Sequence, residues 1–368
     1  MKKFLVLILS FLLCTTCSEV IDLDTDEEGG ELVIFGRISN SYIGNYVEIS
    51  RTSSLGQVPE PISDAIVRIY DEDGDFEVLP ISNEEGRYEI VDRDLERNVG
   101  DKFSLEIELN GNTYTSPLQE IQEVIGNDEL SWEQAIETDV RPNGAEVEEW
   151  VVRLFASSFF DNLPEEFFIR WTIEEAYTHL GSALPSSHFP RYTPEQCYVI
   201  NDLSEQDIFL LDGTTVRSAN LNNRYLVSRR IDNSFAAKHY FNLIKSALNP
   251  ESYEYWERVN GIVARAGSIF DIPPAAIPSN IISSDPSERV FGHFEVIGVD
   301  TTRLLITNND IPIFFEDPCE IDTPREFVDV RSVPFECVSC LVQQRILPLE
   351  CIFCSLAPGF TSRRPSYF

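Results

Sequence analysis

The sequence predicts a mainly β protein: an N-terminal β-sandwich, Ig-like or transthyretin-like, followed by a larger β-rich domain with at least one packed helix. Three observations carry this. Short β-branched and aromatic runs recur at roughly ten-residue intervals between turn residues, the rhythm of a sandwich. Asn110-Gly111 stands between "SLEIEL" and "NTYTS", and Asn-Gly supplies the two positive φ values of a two-residue hairpin turn. A single stretch, starting at Asn249, has helical apolar spacing and a helix-start signature. With 43% apolar and 11% aromatic residues the chain is globular in composition, and its 368 residues exceed what one core usually supports.

Residues 1–16 read as a signal peptide. Lys2 and Lys3 precede an almost unbroken apolar run from Phe4 to Leu13, then Thr15, Thr16 and Cys17. That run is shorter than the ~20 residues of a spanning helix. A cysteine at the cleavage point makes Cys17 the candidate lipid anchor of a bacterial lipoprotein, although Cys14 stands where a lipobox usually has Leu. The alternative is an ordinary signal with an incidental cysteine. Residues 17–31, "CSEVIDLDTDEEGGE", then form an acidic, solvated tether.

Residues 32–118 form the predicted sandwich, from "ELVIFGRIS" to "KFSLEIELNGNTYTS". Residues 119–146 lose that rhythm, turn acidic and read as a linker. In the second domain, 147–336, "EWVVRLFASSFF" and "EEFFIRWTIEEAYTH" read as long strands paired through "DNLP". The helix is placed near 250–266, with Asn249 as cap, Pro250 at the first position, Glu251 toward the dipole and Gly267 as stop. Its Tyr253, Trp256, Val259 and Val263 share one face, expected to pack on the core. "RVFGHFEVIGV" and "TRLLITN" follow as two strands, and residues 337–368 form a Cys-rich tail.

Charge bounds the partners. There are 62 acidic and 28 basic residues, and losing Lys2 and Lys3 with the signal takes the net charge from −34 to −36. Such a surface repels nucleic acid and anionic lipid.

Six cysteines remain beyond the signal and anchor: Cys197, Cys319, Cys337, Cys340, Cys351 and Cys354. The two CxxC pairs of "CVSCLVQQRILPLECIFC" have zinc-knuckle spacing. Export to an oxidising compartment favours disulfides over zinc or a redox-active CxxC. Separation along the chain suggests Cys197 with Cys319, and local bridges among the other four. No metal or cofactor is expected. Counting an EF-hand from Asp22 puts Glu27 and Val33 where Gly and Glu are required, and "DEDGD" at 71–75 is a turn composition. GxSxG, HExxH and glycine-rich phosphate loops are absent. His179, His188, His239 and His293 are scattered, and His293 reads as a satisfied structural histidine. Glu174 and Glu175 are two acids among many, and Trp132, Trp150, Trp171 and Trp256 sit in patterns that suit core packing.

Several segments carry a family resemblance: "CSEVIDLD" and "LVIFGRIS" early on, "ISDAIVRIYDEDGD", and the central block "SYEYWERVNG", "GSIFDIPPAAIPSNI" and "SERVFGHFEV". Within the block Tyr255-Trp256, Phe270-Asp271 and Asn280-Ile281 match, while His293 replaces a usual Tyr after Gly292. Cys351, Cys354, Gly359, Pro365 and Phe368 complete the pattern. With these the chain resembles the Bacteroidetes-type outer-membrane lipoproteins of domain of unknown function 4249. The resemblance implies a lipid-anchored protein on the periplasmic face or the cell surface, and, by the company such genes keep, an accessory of a TonB-dependent β-barrel receptor. It supplies no catalytic residues, so a non-enzymatic role is expected. A structural or adhesive surface protein and a secreted hydrolase with a dispersed site are the alternatives; the ligand is not identified.

Overall fold

The computed structural model describes residues 30–311, except 42–43, 54–57, 91–96, 161–162, 181–195, 205–208, 217–219 and 264–276, together with 359–361 and 364–368. The signal, the tether up to residue 29 and most of the Cys-rich tail lie outside the described residues.

The first strands are β1 (Leu32–Ser39), β2 (Tyr46–Arg51), β3 (Glu60–Pro61), β4 (Ile66–Asp71), β5 (Phe76–Leu79), β6 (Arg87–Glu89), β7 (Lys102–Leu109), β8 (Asn112–Thr115) and β9 (Gln119–Glu120). In β1, Leu32, Ile34 and Ile38 point into a core and Phe35 and Arg37 away from it, the period-2 pattern of a strand with two distinct faces. The β7–β8 hairpin turns as expected on Asn110 at φ 52° and Gly111 at φ 87°. The β4–β5 turn is closed by the Asp71 side chain, which accepts from the amides of Asp73 and Asp75 at 3.0 and 2.9 Å. "DEDGD" is therefore a turn held by its own first carboxylate.

After these come β10 (Asn127–Val140), β11 (Glu146–Phe159), β12 (Phe168–Leu180), β13 (Gln196–Asp202), β14 (Phe209–Asp212), β15 (Asn220–Arg230) and β16 (His239–Leu248). Helix α1 (Pro250–Val263), β17 (Ile282–Ser283), β18 (Val290–Ile306) and β19 (Phe360–Thr361) complete the order. The protein is mainly β, with a single α-helix among the described residues.

Ten strands form one sheet, ordered β19-β13-β12-β16-β18-β1-β2-β3, with β14 beside β12 and β6 beside β2. A six-stranded sheet (β17-β8-β7-β4-β5, with β9 on β7) packs on its β1–β2 end. Leu32, Ile34, Val47 and Ile49 meet Val67, Ile69, Phe103, Leu105 and Ile107 there. A three-stranded sheet, β10-β11-β15, packs on its β12–β16 end, where Val152, Leu154 and Ala156 meet Ile169, Trp171, Ile173, Phe241 and Leu243. One long sheet thus backs two smaller ones.

The two ends join where β18 runs parallel to β1, from Leu32 opposite Val290 to Ser39 opposite Ile297. This seam requires glycine. Gly292 has φ +96°, and a Cβ on it would lie 2.0 Å from the Ile34 carbonyl oxygen.

Several expectations change. Residues 127–140, read as linker, are the strand β10: Leu130, Trp132, Gln134 and Ile136 alternate with Glu129, Ser131, Glu133, Ala135 and Glu137, so the period is present but diluted by acids. The two long strands β11 and β12 do not pair through "DNLP". Each pairs within a different sheet, because both have an apolar face and the crossing sets those faces against each other. "RVFGHFEVIGV" and "TRLLITN" are one 17-residue strand, β18. Trp150 is exposed instead of buried. Helix α1 is described over Pro250–Val263, the expected residues 264–266 and Gly267 lying outside the described residues; its Tyr253, Trp256, Val259 and Val263 are half-buried, with Ser252 its fully enclosed residue.

Candidate functional site

The motif residues converge beneath α1. Asn249 caps the helix by accepting from the Ser252 amide at 2.7 Å, and its own amide donates to Gln119 Oε1 at 2.7 Å. Gln119 Nε2 donates to the Phe294 carbonyl at 2.9 Å; Asn280 donates to the same carbonyl at 2.7 Å and accepts from the Phe294 amide at 2.9 Å. The Asn280 side chain so acts as a strand neighbour for β18 where β16 has not yet begun to pair. Ile281 follows it into the core.

Arg170 on β12 makes a bidentate pair with Glu295 on β18, at 3.0 and 2.8 Å, with both side chains enclosed. Trp256 Nε1 donates to the same carboxylate at 2.8 Å, while its ring lies 4.2 Å from the Arg170 guanidinium carbon. Burial alone would raise the Glu295 carboxyl; the Arg170 charge and hydrogen bonds outweigh it and hold the pKa below the ordinary value. Ser252 Oγ and His293 Nε2 are 2.8 Å apart, and Tyr255 stacks on the imidazole at 4.5 Å. Burial lowers the His293 pKa to about 4. This Ser–His pair has the contact of a nucleophile and base. Both side chains are sealed, however, and the nearby Glu295 is committed to Arg170 and Trp256.

A second network lies at the opposite face of β12. The Glu175 carboxylate accepts from Arg229 Nε at 2.6 Å and Asn201 Nδ2 at 2.8 Å, and sits 3.1 Å from His239 Nε2. Burial pushes this carboxyl up, but the His239 contact and the Arg229 charge prevail and bring it to about 2. His239 is stacked between Phe235 and Tyr177 and has no solvent exposure. Glu174, the next residue, faces the other side of the sheet and is raised by burial. The two acids are thus not a catalytic pair.

Cys197 is buried in β13 and disulfide-bonded, its partner outside the described residues. Cys17, Cys319, Cys337, Cys340, Cys351, Cys354 and His188 lie outside them too, as does the His179 side chain. Among the described residues no cluster of three metal-ligating side chains occurs, and no helix is long and apolar enough to cross a membrane. Phe368 packs on Tyr198 and Tyr240, and Tyr367 accepts a hydrogen bond from Asn242 Nδ2 at 3.1 Å.

Where the polar chemistry is enclosed, the exposed feature is the β10–β11 hairpin. Its base is fixed by Lys245, which donates to the Gly126 carbonyl at 2.7 Å beside Asp128, itself accepting from Trp171 Nε1 at 2.8 Å. Its outer part carries exposed Ile136, Val140, Val147 and Trp150. Sequence reasoning missed this element because its acids masked the alternation.

The model of a family described as a domain of unknown function (DUF4249) matches residues 18–303. The C-terminal part of the expected resemblance, from Cys351 to Phe368, falls beyond that match. No curated protein and no solved structure matches the chain.

Proposed function

The chain belongs to the DUF4249 family, and we propose that it acts as a non-enzymatic, lipid-anchored binding or accessory component of the outer membrane or cell surface, partnering a TonB-dependent transporter. One observation carries this reading. The described side chains best suited to chemistry, Ser252, His293, His239, Arg170 and Glu295, are buried and engaged with one another or with neighbouring groups, while apolar side chains stand exposed on a strand hairpin. That distribution favours a scaffold that binds through its surface over one that holds a reaction centre.

Cys17 is the anchor in this reading, the first residue left once the signal peptide of residues 1–16 is removed. The acidic tether lifts the fold from the bilayer. Three disulfides brace the second domain and tail, with buried, bonded Cys197 in favour of one of them. The anchor is tested with Cys17→Ala expressed in the native host. The variant is expected to leave the membrane fraction; persistence there defeats the lipoprotein assignment. Extraction of the native protein in mild detergent tests the partner, since recovery without any β-barrel receptor counts against the accessory role.

A further inference from the structure

The outer β10–β11 hairpin points to a specific docking surface, and this inference deepens the accessory reading on which it rests. β15 pairs with β11 as far as Val151 opposite Arg230, with one further bond from the Ile231 amide to the Trp150 carbonyl at 2.8 Å. Past that point residues 137–140 and 146–149 continue as a two-stranded ribbon, about 14 Å long at the usual rise per residue. Such ribbons are marginally stable without packing on one face. Trp150 and Ile136 stand directly opposite each other, on the face that buries Val152 and Leu154 two and four residues further along β11. The apolar stripe of the core therefore runs out past its own cover: Trp150 is 46%, Ile136 50% and Val140 63% exposed.

Charge identifies what covers it. Glu146 and Glu148 lie on this same face, both exposed and with no ion pair among the described residues. The one cation of the ribbon, Arg141, turns to Glu149 and Asp139 on the opposite face. A second copy would set acid against acid, and an anionic bilayer is repelled by the same charges. We propose that this ribbon docks a partner protein through an apolar patch of that partner flanked by Lys or Arg, with Trp150 as the central anchor and Glu146 and Glu148 fixing register.

The test places a photoreactive phenylalanine at position 150, 140 or 147 of the full-length, lipidated protein in intact cells. Positions 150 and 140 are expected to cross-link to another protein, on a peptide where Lys or Arg borders apolar residues; position 147, on the reverse face, is not. Reversing both charges, Glu146→Lys with Glu148→Lys, should cut the adduct about tenfold, as close interfacial charges do, with an unchanged melting temperature. Equal yields at 147, lipid adducts, a dimer of this chain, no adduct, or indifference to the double reversal would each overturn the proposal. An adduct meeting these criteria with a protein other than a TonB-dependent receptor upholds the docking surface and removes the receptor. Co-purification of a receptor with no adduct at 150 removes the docking surface and leaves the receptor.

Discussion

Gly292 and His293 lie side by side in "FGHFEV" and answer to different forces. At Gly292 the constraint is backbone geometry. Alanine there must adopt φ near +96° with its Cβ against the Ile34 carbonyl, so Gly292→Ala should destabilise by ~3 kcal/mol or more, read as a drop in melting temperature; an unchanged midpoint refutes the close seam. At His293 the constraint is proton affinity. Its pKa falls from 6.5 to about 4 on folding, so the unfolded chain binds the extra proton between those values. Its stabilising contribution is complete above pH 6.5 and is lost as pH falls toward 4. Glu175, lowered from 4.5 to about 2, contributes above pH 4.5 and loses that contribution toward pH 2. Each window is worth on the order of 3 kcal/mol. Melting wild type and His293→Gln at pH 7, 5.5, 4 and 2.5 separates them. The variant should lose the decline between 6.5 and 4 and keep the lower one, and parallel curves contradict the assignment. The residue types at these positions were visible in the sequence, and His293 was read there as a satisfied structural histidine. Its partners were not visible, because Ser252 and Tyr255 reach it from a helix about forty residues earlier in the chain.

Among the elements, those whose signals are local were legible. The β7–β8 hairpin and the start of α1 follow from two and three adjacent residues, Asn110-Gly111 and Asn249-Pro250-Glu251. Asn249→Ala removes both the cap on Ser252 and the bond to Gln119. It should cost ~1–2 kcal/mol, measured by chemical denaturation, and a loss below a few tenths would show that α1 is held from elsewhere. Pairing between strands was less legible. β11 and β12 both alternate, and alternation alone does not say whether two neighbouring strands share a sheet or face each other across a core. β10 was hidden for a related reason. Its Glu129, Glu133, Glu137 and Asp139 face solvent, and their density outweighed the apolar residues between them. The exposed end of that hairpin is the part of the molecule its sequence concealed most completely.

Over the whole molecule, the segregation into an N-terminal sandwich and a later domain gives way to a shared sheet. The first core is completed by Ile121, Ile281, Phe294 and Val296 from beyond residue 118, and β1 spends its second edge on β18. An excised fragment of residues 30–118 should therefore lack a cooperative thermal transition and expose the free edge of β1 to aggregation; a sharp two-state melt would restore an autonomous domain. A net charge of −34 disfavours nucleic acid and anionic surfaces, which leaves the proposed anchor and the proposed docking ribbon as the attachments to test. If the protein holds a partner at the membrane, as proposed, the mass of the native, detergent-extracted particle reports it. That particle is expected to be heavier than one lipidated chain by a β-barrel receptor, and to shrink to the lone chain when Glu146 and Glu148 are both reversed. A monodisperse particle of a single chain, extracted under conditions that preserve other receptor complexes of the same membrane, would contradict it.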